Sequence, residues 1–139
     1  MHMRPELDEL QAEYARLYCQ MTGSDIAGTF LTEARHDGSP HVKFVDGKYH
    51  YVATERGLEL SRKTSADMTE MLFFLLSDVA FWMGVDHEFR NRIAGQDSRR
   101  IIFVEWQRLM EQAGPPYDKM NSQKIEEILS ENPFDDSLF

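Results

Sequence analysis

The 139-residue chain has 42% hydrophobic and 28% charged residues, a balance that suits one folded domain and excludes a disordered tract. With 24 acidic against 15 basic side chains the formal charge is −9, a field that repels nucleic acid and anionic membrane and draws a basic partner inward. The single cysteine, Cys19, excludes an internal disulfide and a cysteine zinc cage, and fits a reduced, cytoplasmic compartment.

Met1-His2 reads as a cloning remnant ahead of Met3, and no apolar run of a signal peptide follows it. A first helix is expected from Pro5, well suited to an opening helical position, to Met21. Leu7, Leu10, Tyr14, Leu17, Tyr18 and Met21 recur on one stripe, while Glu6, Glu9, Glu13 and Arg16 take the opposite face. Residues 22–40 have no firm assignment beyond a short edge strand at Thr29 to Glu33.

The middle reads as a β-meander. Asp46-Gly47 supplies the positive φ angles of a type I′ turn, which sets Phe44 opposite Tyr49 and Val42 opposite Tyr51. A second turn at Arg56-Gly57 would set Ala53 opposite Leu60 and Glu55 opposite Leu58, keeping the same face apolar. A second helix starts at "TSADMTEM", capped by Thr64 or Asp67. It is apolar nearly all round, which predicts a central buried helix with a bend near Gly84 and Asp86. Its most apolar run, about fifteen residues, is too short to span a bilayer. A third helix from about Ser98 has the stripe Ile102, Phe103, Trp106, Leu109 and Met110, and "AGPP" ends it. A fourth, from about Ser122 to Glu131, buries Ile125, Ile128 and Leu129 and stops at Pro133, leaving residues 132–139 as a C-terminal tail. The expected class is therefore α+β: a single domain over residues 1–139, with an antiparallel three- or four-stranded meander packed against about four helices.

Chemistry-bearing clusters are few. His36, Asp37, His41 and His50 invite a metal or small-hydrolase reading, since His41 and His50 fall diagonally on one sheet face expected to meet solvent. No ligand spacing of a known metal type accompanies them, and polar residues on a wet sheet face need no further explanation. No nucleophile elbow is present, the glycines are scattered singly, and aromatics do not alternate with bases along a strand. The sequence therefore predicts no catalytic residue, cofactor or metal site.

The stretch "EFRNRIAGQDSRRIIF" concentrates four arginines in an acidic chain. Glu88 and Arg92 are four apart, the favourable order for an ion pair on a helix. Asp97 can cap the third helix, and of Arg99 and Arg100 one can reach back to Glu88 or Asp86 while the other points to solvent or the sheet. Asp86, Glu88 and Asp97 offset most of the local positive charge, so an ion-pair scaffold is expected rather than a phosphate site.

The order "YHYVATERGLEL", an apolar helix ending in "HEFRNR", "DSRRIIF", "QRLM" and "EEILSENPFDD" resembles the bacterial immunity protein 63 family, found beside polymorphic toxins. The resemblance covers Tyr49 to Asp136. It rests on Glu55, Arg56, Gly57, Glu88, Asn91, Arg92, Asp97, Arg99, Arg100, Phe103, Pro133, Asp135 and Asp136. Ser98 and Phe134 stand where the family pattern has an aromatic and a tyrosine. The resemblance implies a cytoplasmic, non-catalytic protein that binds a cognate toxin domain and blocks it, with the shared motifs maintaining the fold. Its acidity suits a basic nuclease as the toxin. The candidate contact groups are the acids without an arginine nearby in sequence: Glu6, Glu9, Glu13, Glu126, Glu127, Asp135 and Asp136. A regulatory or adaptor module that binds a protein or small ligand is the alternative, and no nucleic-acid or membrane partner is expected.

Overall fold

A computed structural model describes residues 4–139, so the reading of Met1-His2 as a remnant falls outside the described residues. The order is α1 (Pro5–Thr22), β1 (Asp37–Val45), β2 (Lys48–Glu55), β3 (Leu58–Ser65), α2 (Met68–Arg90), α3 (Arg99–Ala113) and α4 (Tyr117–Glu131), then a 3-10 turn at Asp136–Leu138. The class is α+β, with an antiparallel sheet in the order β1-β2-β3. Where a short edge strand was expected at Thr29 to Glu33, only Leu31 pairs, in an isolated parallel bridge to His41. The chain divides into two compact units: residues up to Cys19 with Asp25–Leu75, and Gln20–Ser24 with Leu76–Phe139.

In the first unit both hairpin turns have the expected backbone. Asp46 and Gly47 sit at φ 54° and 75°, Arg56 and Gly57 at 51° and 80°, the left-handed pair that a type I′ turn demands. Phe44 faces Tyr49 and Val42 faces Tyr51, as the sequence predicts. Register departs from expectation in the second hairpin. Glu55 does pair with Leu58, but Ala53 pairs with Ser61 rather than Leu60, so Leu60 is the extra residue of a bulge in β3. The apolar face therefore does not continue onto β3, and both Leu58 and Leu60 are exposed. Leu7, Leu10, Tyr14 and Leu17 of α1, Val42 and Tyr49 of the sheet, and Met71, Leu72 and Leu75 of α2 form the buried core of this unit. Helix α2 starts as expected at Asp67, whose Oδ1 accepts the Thr69 amide at 3.0 Å; Thr64 belongs to β3 instead.

The second unit buries Leu76 and Ala80 of α2 with Ile102, Phe103, Trp106, Leu109 and Met110 of α3 and Tyr117 of α4. A satisfied polar chain crosses this core. The Trp106 indole donates to the Ser77 carbonyl at 2.9 Å, the Ser77 hydroxyl to Asn121 Oδ1 at 2.7 Å, and the Asn121 amide to Gln107 Oε1 at 3.2 Å. Helix α3 stops at Gly114, at φ 91°, as "AGPP" predicts. Helix α4 begins at Tyr117 rather than Ser122, because Tyr117 and Asn121 both find buried places in its first turns.

Two expectations for α2 fail. It runs unbroken through Gly84 and Asp86. Gly84 serves close packing instead: a Cβ there would sit 2.8 Å from the Ile102 carbonyl oxygen of α3. Gly84→Ala is accordingly expected to destabilise the fold by about 1–2 kcal/mol, because overpacking outweighs the helix propensity that alanine gains. Urea unfolding reads this directly, and an equal or stabler variant would show that α3 gives way freely. Nor is α2 buried all round, since Trp82 and Phe89 are 62% and 71% exposed. At 23 residues the helix is also long and apolar enough, by length and composition alone, to cross a membrane, which the fifteen-residue run understated; 44% of its apolar window is buried.

Candidate functional site: the outer face of helix α3

The histidine cluster is not the wet patch that the pairing pattern suggests. His41 is only 4% exposed, and its Nδ1 is buried without a hydrogen-bond partner. Burial pushes its pKa below the ordinary imidazole value, and nearby Lys43, Arg62 and His36 push the same way. His50 is half-buried, with Nδ1 2.7 Å from an Arg62 guanidinium nitrogen. Arginine can only donate, so the His50 ring nitrogen accepts there. Among the described residues no three His, Cys, Asp or Glu side chains come together as metal ligands. A buried imidazole that stays neutral stabilises the fold above its unfolded pKa of about 6.5, and that stability is lost as the pH falls below it. His41→Leu should therefore be more stable than the parent at pH 5.5, by about 1 kcal/mol, with a smaller gain at pH 7.5. Denaturation midpoints at the two pH values check this. A His41→Leu protein destabilised at both would mean that the imidazole has a partner.

The arginine stretch is a scaffold, built differently from the sequence reading. Glu88 is buried and pairs with Arg92 at 3.1 Å, as expected, and Asp86 pairs with Arg90. Arg99 and Arg100 reach neither Glu88 nor Asp86. The Arg99 guanidinium binds Asp97 at 2.9 Å and donates to the carbonyls of Asn132 and Pro133, both at 2.7 Å. Arg100 pairs with Asp136 at 2.9 Å and lies over the Phe134 ring, 4.5 Å from its centre. Asp97 is 1% exposed and accepts the amides of Arg99 and Asp135, each at 3.0 Å, while its own amide donates to Asp136 Oδ1 at 2.8 Å. Arg99 beside it holds the Asp97 carboxyl far below the usual carboxylate range. Arg100 does the same for Asp136, to a lesser degree. The cluster ties the chain's last residues to the start of α3.

That attachment shapes a surface. Phe134 closes one end of a groove of about 750 Å³ between α3 and α4, floored by Phe103, Ile125 and Leu129 and edged by Arg100, Arg108, Glu111 and Glu126. On its other side α3 borders a second depression, of about 460 Å³, lined by Ile93, Ile101, His87 and Asn91. Arg100 and Val104 line both. Val104 is 72% exposed on the ridge between them, an apolar residue flanked by the Glu105–Arg108 pair at 2.6 Å. An apolar centre with a charged rim of both signs is the anatomy of a protein-contact patch.

The family model described as immunity protein 63 matches residues 46–127, more than half of the chain. This chain belongs to the immunity protein 63 family. The match takes in Glu55, Arg56 and Gly57 at the second hairpin and Glu88 through Phe103 at the arginine scaffold, and stops short of Pro133, Asp135 and Asp136. No curated protein and no solved structure matches the chain. Within this immunity protein 63 fold the shared positions do visible structural work. Arg56 and Gly57 form the β2–β3 turn, where the Arg56 amide donates to the His36 carbonyl at 3.0 Å, and the Asn91 side chain caps the His87 carbonyl at 2.9 Å.

The seven candidate contact acids are dispersed. Glu6, Glu9 and Glu13 lie on α1 in the first unit, and Glu126, Glu127, Asp135 and Asp136 in the second. Two are not free of arginine as the sequence suggested: Glu13 pairs with Arg16 one turn on, and Asp136 with Arg100 across the tail. Asp135 accepts the Ser137 amide at 3.0 Å, starting the 3-10 turn. Glu126 alone lines the groove. Sequence reasoning missed Val104 and the two depressions, although one signal was present. Val104 is an apolar residue off the stripe that the other apolar side chains of α3 define.

Proposed function

We propose that this protein is the immunity partner of a polymorphic toxin: it binds the toxin domain in the bacterial cytoplasm and occludes its active site, performing no reaction of its own. Family membership over residues 46–127 carries this reading. The outer face of α3 supplies the contact surface, with Val104 at its centre and the α3–α4 groove beside it. The rim carries both signs of charge, so toxin choice rests on the pattern of charges and not on the net −9 alone. That net charge still speeds the encounter with a basic domain such as a nuclease.

The test is a toxicity rescue. The toxin domain encoded next to this chain is expressed in a bacterial host with and without it. Survival together with co-purification of the pair is expected. The groove volume also falls within the ordinary range for small-ligand sites, which favours an adaptor reading as the second choice. A toxin that still kills, or the lack of any toxin-like neighbour, would transfer the function to that reading.

A further inference from the structure

Helix α2 leaves a stripe uncovered that the α3 surface does not use. Trp82, Val85 and Phe89 recur at three- and four-residue spacing, which puts them on one side of the helix over about 10 Å of its length. Gly84, the point of closest approach to α3, is two residues from Trp82 and so about 200° round the axis. A partner seated on α3 therefore leaves this stripe in solvent. Phe81 stands edge-on to Trp82 and the Arg92 guanidinium lies over Phe89, yet both rings stay largely in solvent beside a half-buried Val85, and exposed aromatics in such a row are strong contact groups.

We infer that the stripe is the contact between two copies of this chain, crossing antiparallel about a twofold axis beside Val85. The order of side chains favours a second copy because it complements itself when reversed. About that axis Trp82 meets Phe89 of the other copy, Phe89 meets Trp82, and Val85 meets Val85. Asp78 lies one turn before Trp82, and Arg92 sits with its guanidinium 5.5 Å from the centre of the Phe89 ring, most of its side chain in solvent. Reversal brings Asp78 near the solvent side of the other copy's Arg92, whose guanidinium stays on Glu88. An isologous contact of this kind closes on itself and stops at two. Its apolar area, roughly 300 Å² per copy from two large aromatics, is well below the roughly 800 Å² of a standard interface. The dimer is therefore weak and concentration-dependent. The inference does not depend on the toxin reading.

Sedimentation velocity of the full chain from about 5 to 500 μM should show a coefficient that rises with concentration. Trp82→Glu should remain a monomer throughout with unchanged circular dichroism, association being weakened at least tenfold. Symmetry is read by crosslinking in a Cys19→Ser background. Val85→Cys should form a disulfide with itself under mild oxidation. Trp82→Cys and Phe89→Cys should crosslink with each other when mixed, and poorly alone. A parent that stays monomeric across the range, or one whose association Trp82→Glu leaves intact, overturns the inference. So does a monomeric parent whose Trp82→Glu form no longer co-purifies with the toxin, which would give the stripe to the toxin.

Discussion

Asp97→Ala is expected to lower the unfolding free energy by about 3 kcal/mol, the cost of stripping one partner from a buried ion pair. The carboxylate accepts two amides and the Arg99 guanidinium, so its loss strands the Arg99 charge and the Asp135 amide together. Asp97→Asn retains an acceptor oxygen and removes the charge, and should cost about half as much. Urea unfolding, followed by circular dichroism and tryptophan fluorescence, measures both; a loss under about 1 kcal/mol for the alanine form would mean that the tail adds little. The pH dependence has a definite sign. A carboxylate whose folded pKa is depressed stabilises fully above its unfolded value of about 3.9, and that contribution is lost as the pH falls from there. The parent should therefore weaken below about pH 4 more steeply than Asp97→Ala. The His41 effect begins higher, below about pH 6.5, so the two windows separate.

Val104→Asp is expected to abolish protection against the toxin while leaving the fold intact. The residue is largely exposed, so the substitution should move stability by no more than about 0.5 kcal/mol. At the centre of a docked interface the same carboxylate would be desolvated between two apolar depressions, where Arg100 and Arg108, one turn to either side, are already held by Asp136 and Glu105, weakening binding about 100-fold or more. Gln123→Asp is the matched control, because Gln123 is exposed on α4 and does not line either depression. Rescue titrated against toxin expression, together with a binding isotherm, separates the two. Full protection by Val104→Asp would remove α3 from the interface and return attention to Glu6, Glu9 and Glu13 on α1.

The hairpins were legible because their determinants are local. Asp46-Gly47 and Arg56-Gly57 dictate their own backbone angles, and alternation along β1 and β2 fixes the first register. The bulge at Leu60 was not legible, because one inserted residue changes the pairing without changing the composition of β3. All-round apolarity in α2 concealed which face was covered, and only the packing at Gly84 against α3 decides it. At the candidate site, the Glu88–Arg92 pair followed from spacing. The carbonyls that Arg99 reaches and the carboxylate that pairs with Arg100 lie 33 to 36 residues away along the chain, beyond any periodic pattern. His41 was misjudged because alternation assigns a face but cannot tell what covers it.

The extra residue in β3 also bears on what happens when many copies crowd together. Among the described residues β3 is an edge strand, eight residues long, with two leucines in solvent. A straight edge of that length is a template onto which further chains can add, each new one exposing another edge. Leu60 breaks that template by kinking the strand near its start, and Glu59, Arg62 and Lys63 place charges along it. Deleting Leu60 is expected to straighten the edge and open a route to fibres, which thioflavin fluorescence of concentrated protein would read.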